Sequence, residues 1–166
     1  MSEPGIERLT IVRHAHAGSQ KSFDGPDRDR PLTAKGRRQV AALTRILTSY
    51  DVGVIVTSPW LRCRQTVEPL SDALGIAIEE MPELGADASE EEGFDALVAR
   101  AKLAGGQMVV ASTHGENFPV LLAGAATEDG MAPPIEIEKA GRIEVTIENG
   151  TTMTVEVFGA PATEQQ

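Results

Sequence analysis

Leu9-Thr10-Ile11-Val12 is a short apolar run, and a similar one returns from Val52 to Thr57. Runs of this length and β-branched composition predict strands buried on both faces, the pattern of a parallel sheet. A helical period follows each. Thr33 is placed to N-cap a helix reaching about Ser49, with Val40, Leu43, Ile46, Leu47 and Tyr50 on its apolar face. Pro59 suits the first turn of a helix to about Leu74, along which Cys63, Val67, Leu70 and Leu74 form one stripe.

Ile76 to Met81 reads as a short strand, residues 90–104 as a helix with Phe94, Leu97, Val98 and Ala101 on one face, and Gln107 to Ser112 as a further strand. Glu90, Glu91 and Glu92 suit the acidic first turn of that helix. Residues 117–125 predict a short helix and Gly130 to Pro134 a loop. Ile135 to Ile137, Arg142 to Ile147 and Thr152 to Val157 alternate as strands do, with Asn149-Gly150 as a tight hairpin turn. Strands alternating with helices and closed by a hairpin predict a three-layer α/β/α sandwich around a mostly parallel sheet with an antiparallel edge. The expected division is an N-terminal extension over residues 1–8, one domain over 9–158 and a flexible tail from Gly159.

The chain's 166 residues suffice for one core, and its 41% hydrophobic and 24% charged content is that of an ordinary globular protein. No signal sequence or membrane-length apolar run stands out, so the expectation is a cytoplasmic protein with no membrane partner. The net charge of −10 disfavours nucleic acid. Its distribution is uneven: residues 1–66 hold 11 Lys/Arg against 6 Asp/Glu, residues 67–166 hold 4 against 19. A basic N-terminal part suits a pocket for a small anion. Cys63, the single cysteine, forms no intramolecular disulfide and makes a cysteine-based zinc site improbable; its helical stripe reads it as core.

The first strand ends in Arg13-His14, a fixed cation and a nucleophile at the sheet edge where open α/β folds bind ligands. Three further segments follow: Arg30-Pro-Leu-Thr33-Ala-Lys-Gly36, Ser58-Pro-Trp-Leu-Arg62-Cys-Arg-Gln-Thr66 and Val109-Val-Ala-Ser-Thr-His114-Gly115. Together, over residues 9 to 125, they resemble the histidine phosphatase superfamily, the phosphoglycerate mutase-like or RHG family. Ala15 after the nucleophile, where larger members carry Gly, is more similar to the short SixA-like phosphohistidine phosphatases and to the phosphatase half of some bacterial Nudix fusion proteins. The resemblance implies a phosphoglycerate mutase-like fold and a phosphatase without cofactor or metal, in which His14 is phosphorylated during turnover.

Chemistry agrees with that implication. A phosphoryl group in transfer carries its charge on peripheral oxygens, and Arg13 and Arg62 would hold these with planar donors that keep their charge, His114 adding another. Two guanidiniums favour the neutral, nucleophilic form of His14. His16 either lines the pocket or caps the strand. Ser19, Gln20 and Lys21 fall where relatives often carry phosphate-contacting loop residues, and a solvated loop is the equal alternative. Arg28 and Arg30, interleaved with Asp27 and Asp29, read as local ion pairs.

The general acid of larger relatives, a Glu in a Leu-x-Glu string, has no counterpart in Leu84-Gly85-Ala86, which leaves Asp87 or Glu83 as substitutes. The expectation is therefore a substrate with a good leaving group, such as phosphohistidine, an acyl phosphate or a phosphoanhydride. Alternatives are a small-metabolite or nucleotide phosphatase and, in another class, a non-catalytic phosphate-ligand binding module. A mutase is disfavoured by the short chain.

Overall fold

The computed structural model describes residues 5–87, 92–118, 136–150 and 152–163. Six strands form one sheet: β1 (Ile6–Arg13), β2 (Val52–Thr57), β3 (Ile78–Glu80), β4 (Met108–Thr113), β5 (Arg142–Glu148) and β6 (Thr152–Phe158), in the order β3-β2-β4-β1-β5-β6. β3, β2, β4 and β1 run parallel, while β5 and β6 form the antiparallel edge.

Alternate residues of the central strands feed two separate cores, which is why these strands read as continuous apolar runs. Val12, Ile55 and Val110 face α1 (Ala34–Leu47) and α2 (Leu61–Leu74), meeting Leu43 and Leu47 from the first helix and Val67 and Leu70 from the second. Leu9, Ile11, Val109 and Ala111 face the other way, with Val145 and Ile147 of β5, onto Phe94, Leu97 and Ala101 of α3 (Glu92–Leu103). The result is the three-layer α/β/α sandwich.

Thr33 caps α1 as its sequence position predicts, Oγ1 accepting from the Gly36 N–H at 3.1 Å. Helix α2 begins at Leu61, so Pro59 precedes the helix instead of opening it. Strand β1 starts at Ile6, three residues before the apolar run, because Ile6 to Arg8 pair with Thr146 to Glu148 of β5. β3 is only Ile78–Glu80, an edge strand whose Glu79 and Glu80 are exposed and give little apolar signal. The strand expected from Ile135 is not formed at Glu136 or Ile137, which lie in a loop with Ile137 turned into the α3 core. The helix expected over 117–125 and the loop over 130–134 lie outside the described residues from residue 119 on. Asn149 and Gly150 take positive φ as a tight turn requires, and Glu148 pairs with Thr152. Beyond β6, the Ala160 N–H donates to the Glu138 carboxylate at 2.9 Å, so the tail is tethered at its start.

Candidate active site

The C-terminal ends of β1, β4 and β2 are neighbours, and each delivers one side chain to the same place. The ladder runs one residue past the strands: the His14 N–H donates to the Thr113 carbonyl at 3.0 Å and the Ser58 N–H to the Ser112 carbonyl at 2.9 Å. Register alone thus brings together His14 after β1, Ser58 after β2 and His114 after β4. The His14 and His114 rings sit edge to face with centroids 5.7 Å apart.

His14 Nδ1 lies 2.8 Å from the Ala15 carbonyl oxygen, which can only accept, so the proton is on Nδ1 and Nε2 is left unprotonated. Its lone pair faces the Arg62 Nε–H at 3.4 Å. Burial, with help from Arg62, His114 and Arg13, pulls the His14 pKa down to about 3 against a bond to Ala15 that favours the charged ring. His14 is therefore a neutral ring held in one orientation.

His114 is fully buried, its pKa also lowered to about 3 by burial and by Arg62. Its Nδ1 is 3.5 Å from Arg62 Nη2, which can only donate, so Nε2 carries the proton and Nε2–H donates a hydrogen bond to Ser58 Oγ at 2.8 Å. Arg62 is buried in the first turn of α2, off the apolar stripe. Arg13 at the end of β1 donates from Nη1 to the Ile137 carbonyl at 2.7 Å, and its guanidinium packs on Gly115, where a Cβ would come within 2.5 Å of Arg13 Nε. That Nε is buried without a partner among the described residues.

The loop after β1 is fastened to this centre. The Ala15 N–H donates to Thr66 Oγ1 of α2, the His16 N–H to Gln39 Oε1 of α1, and the His16 ring meets Thr33 Oγ1 at 2.7 Å. His16 thus ties the loop to the α1 cap, and burial together with Lys139 and Lys35 lowers its pKa. Ser19, Gln20 and Lys21 are exposed in a 3₁₀ turn where the Ser19 hydroxyl is engaged with Ser22. Arg30 pairs with Asp27 as the sequence predicts, Nε to Oδ1 at 2.9 Å, whereas Arg28 lies over the Trp60 ring at 4.9 Å.

Three site residues escaped the sequence reading. Ser58 heads a segment already singled out, yet only the β2 register reveals its contact with His114. Asp27 bonds Arg62 as well as Arg30. Lys139 is brought to this end of the sheet because the next residue, Ala140, donates its N–H toward the Arg13 and His14 carbonyls. Burial first, then Arg13, Arg30, Arg62 and Lys35, lower the Lys139 pKa.

Among the described residues neither Glu83 nor Asp87 bonds to Arg13, His14, Arg62 or His114. Asp87 is exposed, and a Cβ on Gly85 would come within 3.1 Å of its Oδ1 and 2.7 Å of the Trp60 ring. Trp60 in turn meets His114 edge to face at 5.3 Å. Cys63 is buried with Sγ 3.5 Å from His114 Nε2, and burial pushes its thiol up to about 12, against the pull of Arg62. It packs as a small apolar residue under His114. Among the described residues no three His, Cys, Asp or Glu side chains converge as a metal site.

A family profile described as the histidine phosphatase superfamily (branch 1) matches residues 9–89, the stretch carrying Arg13, His14, Asp27, Ser58 and Arg62. Over residues 9–89 the chain belongs to the histidine phosphatase superfamily. It is 33% identical over 116 residues to the 8-oxo-(d)GTP phosphatase of Mycolicibacterium smegmatis, an alignment covering 69% of this chain and 36% of that protein. The chain thus spans about a third of the length of that curated relative. A candidate phosphohistidine phosphatase SixA of Agrobacterium tumefaciens superposes with a TM-score of 0.72 at 24% identity, covering 94% of this chain and 99% of that one. The protein histidine phosphatase SixA solved with tungstate gives 0.73 at 23% identity, covering 92% and 97%. These two likenesses carry the histidine phosphatase fold.

Proposed function

We propose that this histidine phosphatase fold hydrolyses phosphoryl compounds through a phosphohistidine at His14. The observation that carries the reading is the His14 tautomer: Nδ1–H held by the Ala15 carbonyl and an unprotonated Nε2 that accepts a long hydrogen bond from Arg62. In the first step Nε2 attacks phosphorus, a P–N bond forms, and the bond to the leaving group breaks with its electron pair departing on that group. Arg62 and Arg13 hold the peripheral oxygens as charge gathers on them. Water then attacks phosphorus, the P–N electron pair returns to His14, and phosphate leaves.

The substrate we infer has a leaving group that departs without a strong acid: phosphohistidine, as in the name of the SixA neighbours, or another activated phosphoryl group. A nucleotide or small-metabolite phosphate is the second reading. The cations Arg30 and Lys139 beyond the reacting centre favour it, as does the printed activity of the Mycolicibacterium relative. Quenching turnover in alkaline denaturant should trap acid-labile, base-stable phosphate on His14 alone. Label that persists in His14→Ala would overturn the assignment. Refusal of every phosphorylated protein, sugar and nucleotide, with phosphate still bound, would make the chain a phosphate-binding module.

A further inference from the structure

We propose that Asp27 is a positioning residue that sets the orientation of Arg62 toward His14. The inference rests on the phosphatase reading above and adds a residue to its machinery.

A guanidinium has two edges. The inner edge of Arg62 faces the nucleophile, with Nε 3.4 Å from His14 Nε2 and Nη2 3.5 Å from His114 Nδ1. The outer edge is closed by one residue: Nη1 donates to the Asp27 carbonyl at 2.9 Å and Nη2 to its carboxylate Oδ2 at 3.2 Å. The other carboxylate oxygen, Oδ1, accepts from Arg30 Nε at 2.9 Å, and Arg30 Nη1 is bound to the Ala17 and Gly18 carbonyls at 2.7 and 2.9 Å. Asp27 therefore links Arg62 to the loop that leaves His14, and it does so across 35 residues of sequence.

An exposed ion pair of this length would contribute little. Here the Arg62 side chain is 5% exposed and Asp27 25%, so the Asp27 carboxylate adds a charged hold on a buried cation beside the bond from its own backbone carbonyl. Its placement excludes two other roles. A carboxylate imitating substrate would lie on the edge facing His14, whereas both Asp27 contacts are on the far edge. A proton donor must hold a proton, and although partial burial alone would raise the Asp27 pKa, hydrogen bonds and charge from Arg30 and Arg62 bring it below the ordinary carboxylate value. What remains is to point Nε and Nη2 at the phosphoryl oxygens.

The test uses the full chain, Asp27→Ala and Asp27→Asn, p-nitrophenyl phosphate for turnover and inorganic phosphate for binding. A misdirected donor costs about 100-fold in rate, so Asp27→Ala should lose about that factor in kcat while KM and phosphate affinity change far less. Asp27→Asn, which keeps one acceptor, should recover part of the loss. Tighter phosphate binding with kcat retained would make Asp27 a competitor of substrate and overturn the proposal. Equal loss in both variants alongside a lowered melting temperature would reduce Asp27 to a structural contact. A readout without substrate separates this from the phosphatase reading: the Arg62 Nη protons should give resolved NMR signals in the wild type that merge in Asp27→Ala. Signals that stay resolved refute the positioning role. A wild type without turnover refutes only the phosphatase reading.

Discussion

At the scale of single residues, the site depends on two histidines kept neutral by burial and by guanidiniums. His14 and His114 both have pKa values brought to about 3, from an ordinary 6.5. Below pH 6.5 the unfolded chain takes up protons on these rings that the folded chain refuses until about pH 3, so their contribution to stability is full above 6.5 and declines as pH falls through that window. Carbon-13 NMR of the free protein should find both rings neutral at pH 5, with His16 the ring to titrate first. Protonation of His14 near 6.5 would contradict the geometry of its Nε2. Arg13, His14, Arg62 and His114 were legible because each stands in a local string of residues. Asp27 was legible only as a partner of Arg30, three residues on. Its second partner, Arg62, is distant in sequence, and no local pattern encodes that bond.

At the scale of elements, the loop after β1 and the start of α1 act as one unit. Gly36 makes this visible: a Cβ on it would come within 2.1 Å of the His16 carbonyl oxygen, a backbone atom that cannot swing away. The same carbonyl accepts from the Thr33 N–H at 3.0 Å, so the first turn of α1 is pressed onto the loop. Gly36→Ala should therefore cost about 1–3 kcal/mol, the usual range for forced overpacking, measurable as a lower denaturant midpoint, and should reduce turnover because His16 is two residues from His14. An unchanged midpoint would mean that α1 slides freely along the loop. Periodicity located α1, α2 and α3 within a few residues because each has a buried stripe. It overran the ends of β3, where exposed Glu79 and Glu80 carry no such period, and failed before β5, where Glu136 and Ile137 approach in a loop.

At the scale of the whole molecule, charge and topology converge on one edge of the sheet. The basic N-terminal part supplies Arg13, Arg30 and Arg62, the distant turn before β5 adds Lys139, and the one carboxylate among the described residues that bonds Arg62 is Asp27, engaged by two arginines. His114 Nε2–H is directed at Ser58. On the phosphatase reading proposed above, such a pocket would stabilise charge on a transferring group far better than it would protonate a departing oxygen. Turnover should then follow leaving-group acidity steeply: aryl phosphates, anhydrides and phosphohistidine should far outrun alkyl phosphates of equal affinity, in a plot of log kcat/KM against leaving-group pKa. Asp87 beside Gly85 supplies the control. If it were the acid, Asp87→Asn would slow alkyl esters strongly and spare activated ones, since only alkyl leaving groups need the proton. The exposed position of Asp87, without a bond to the four central residues, predicts that this variant leaves both classes unchanged. Efficient alkyl phosphate hydrolysis in Asp87→Asn would refute the account and require another proton donor, with Glu83 and the His16 loop the next places to look.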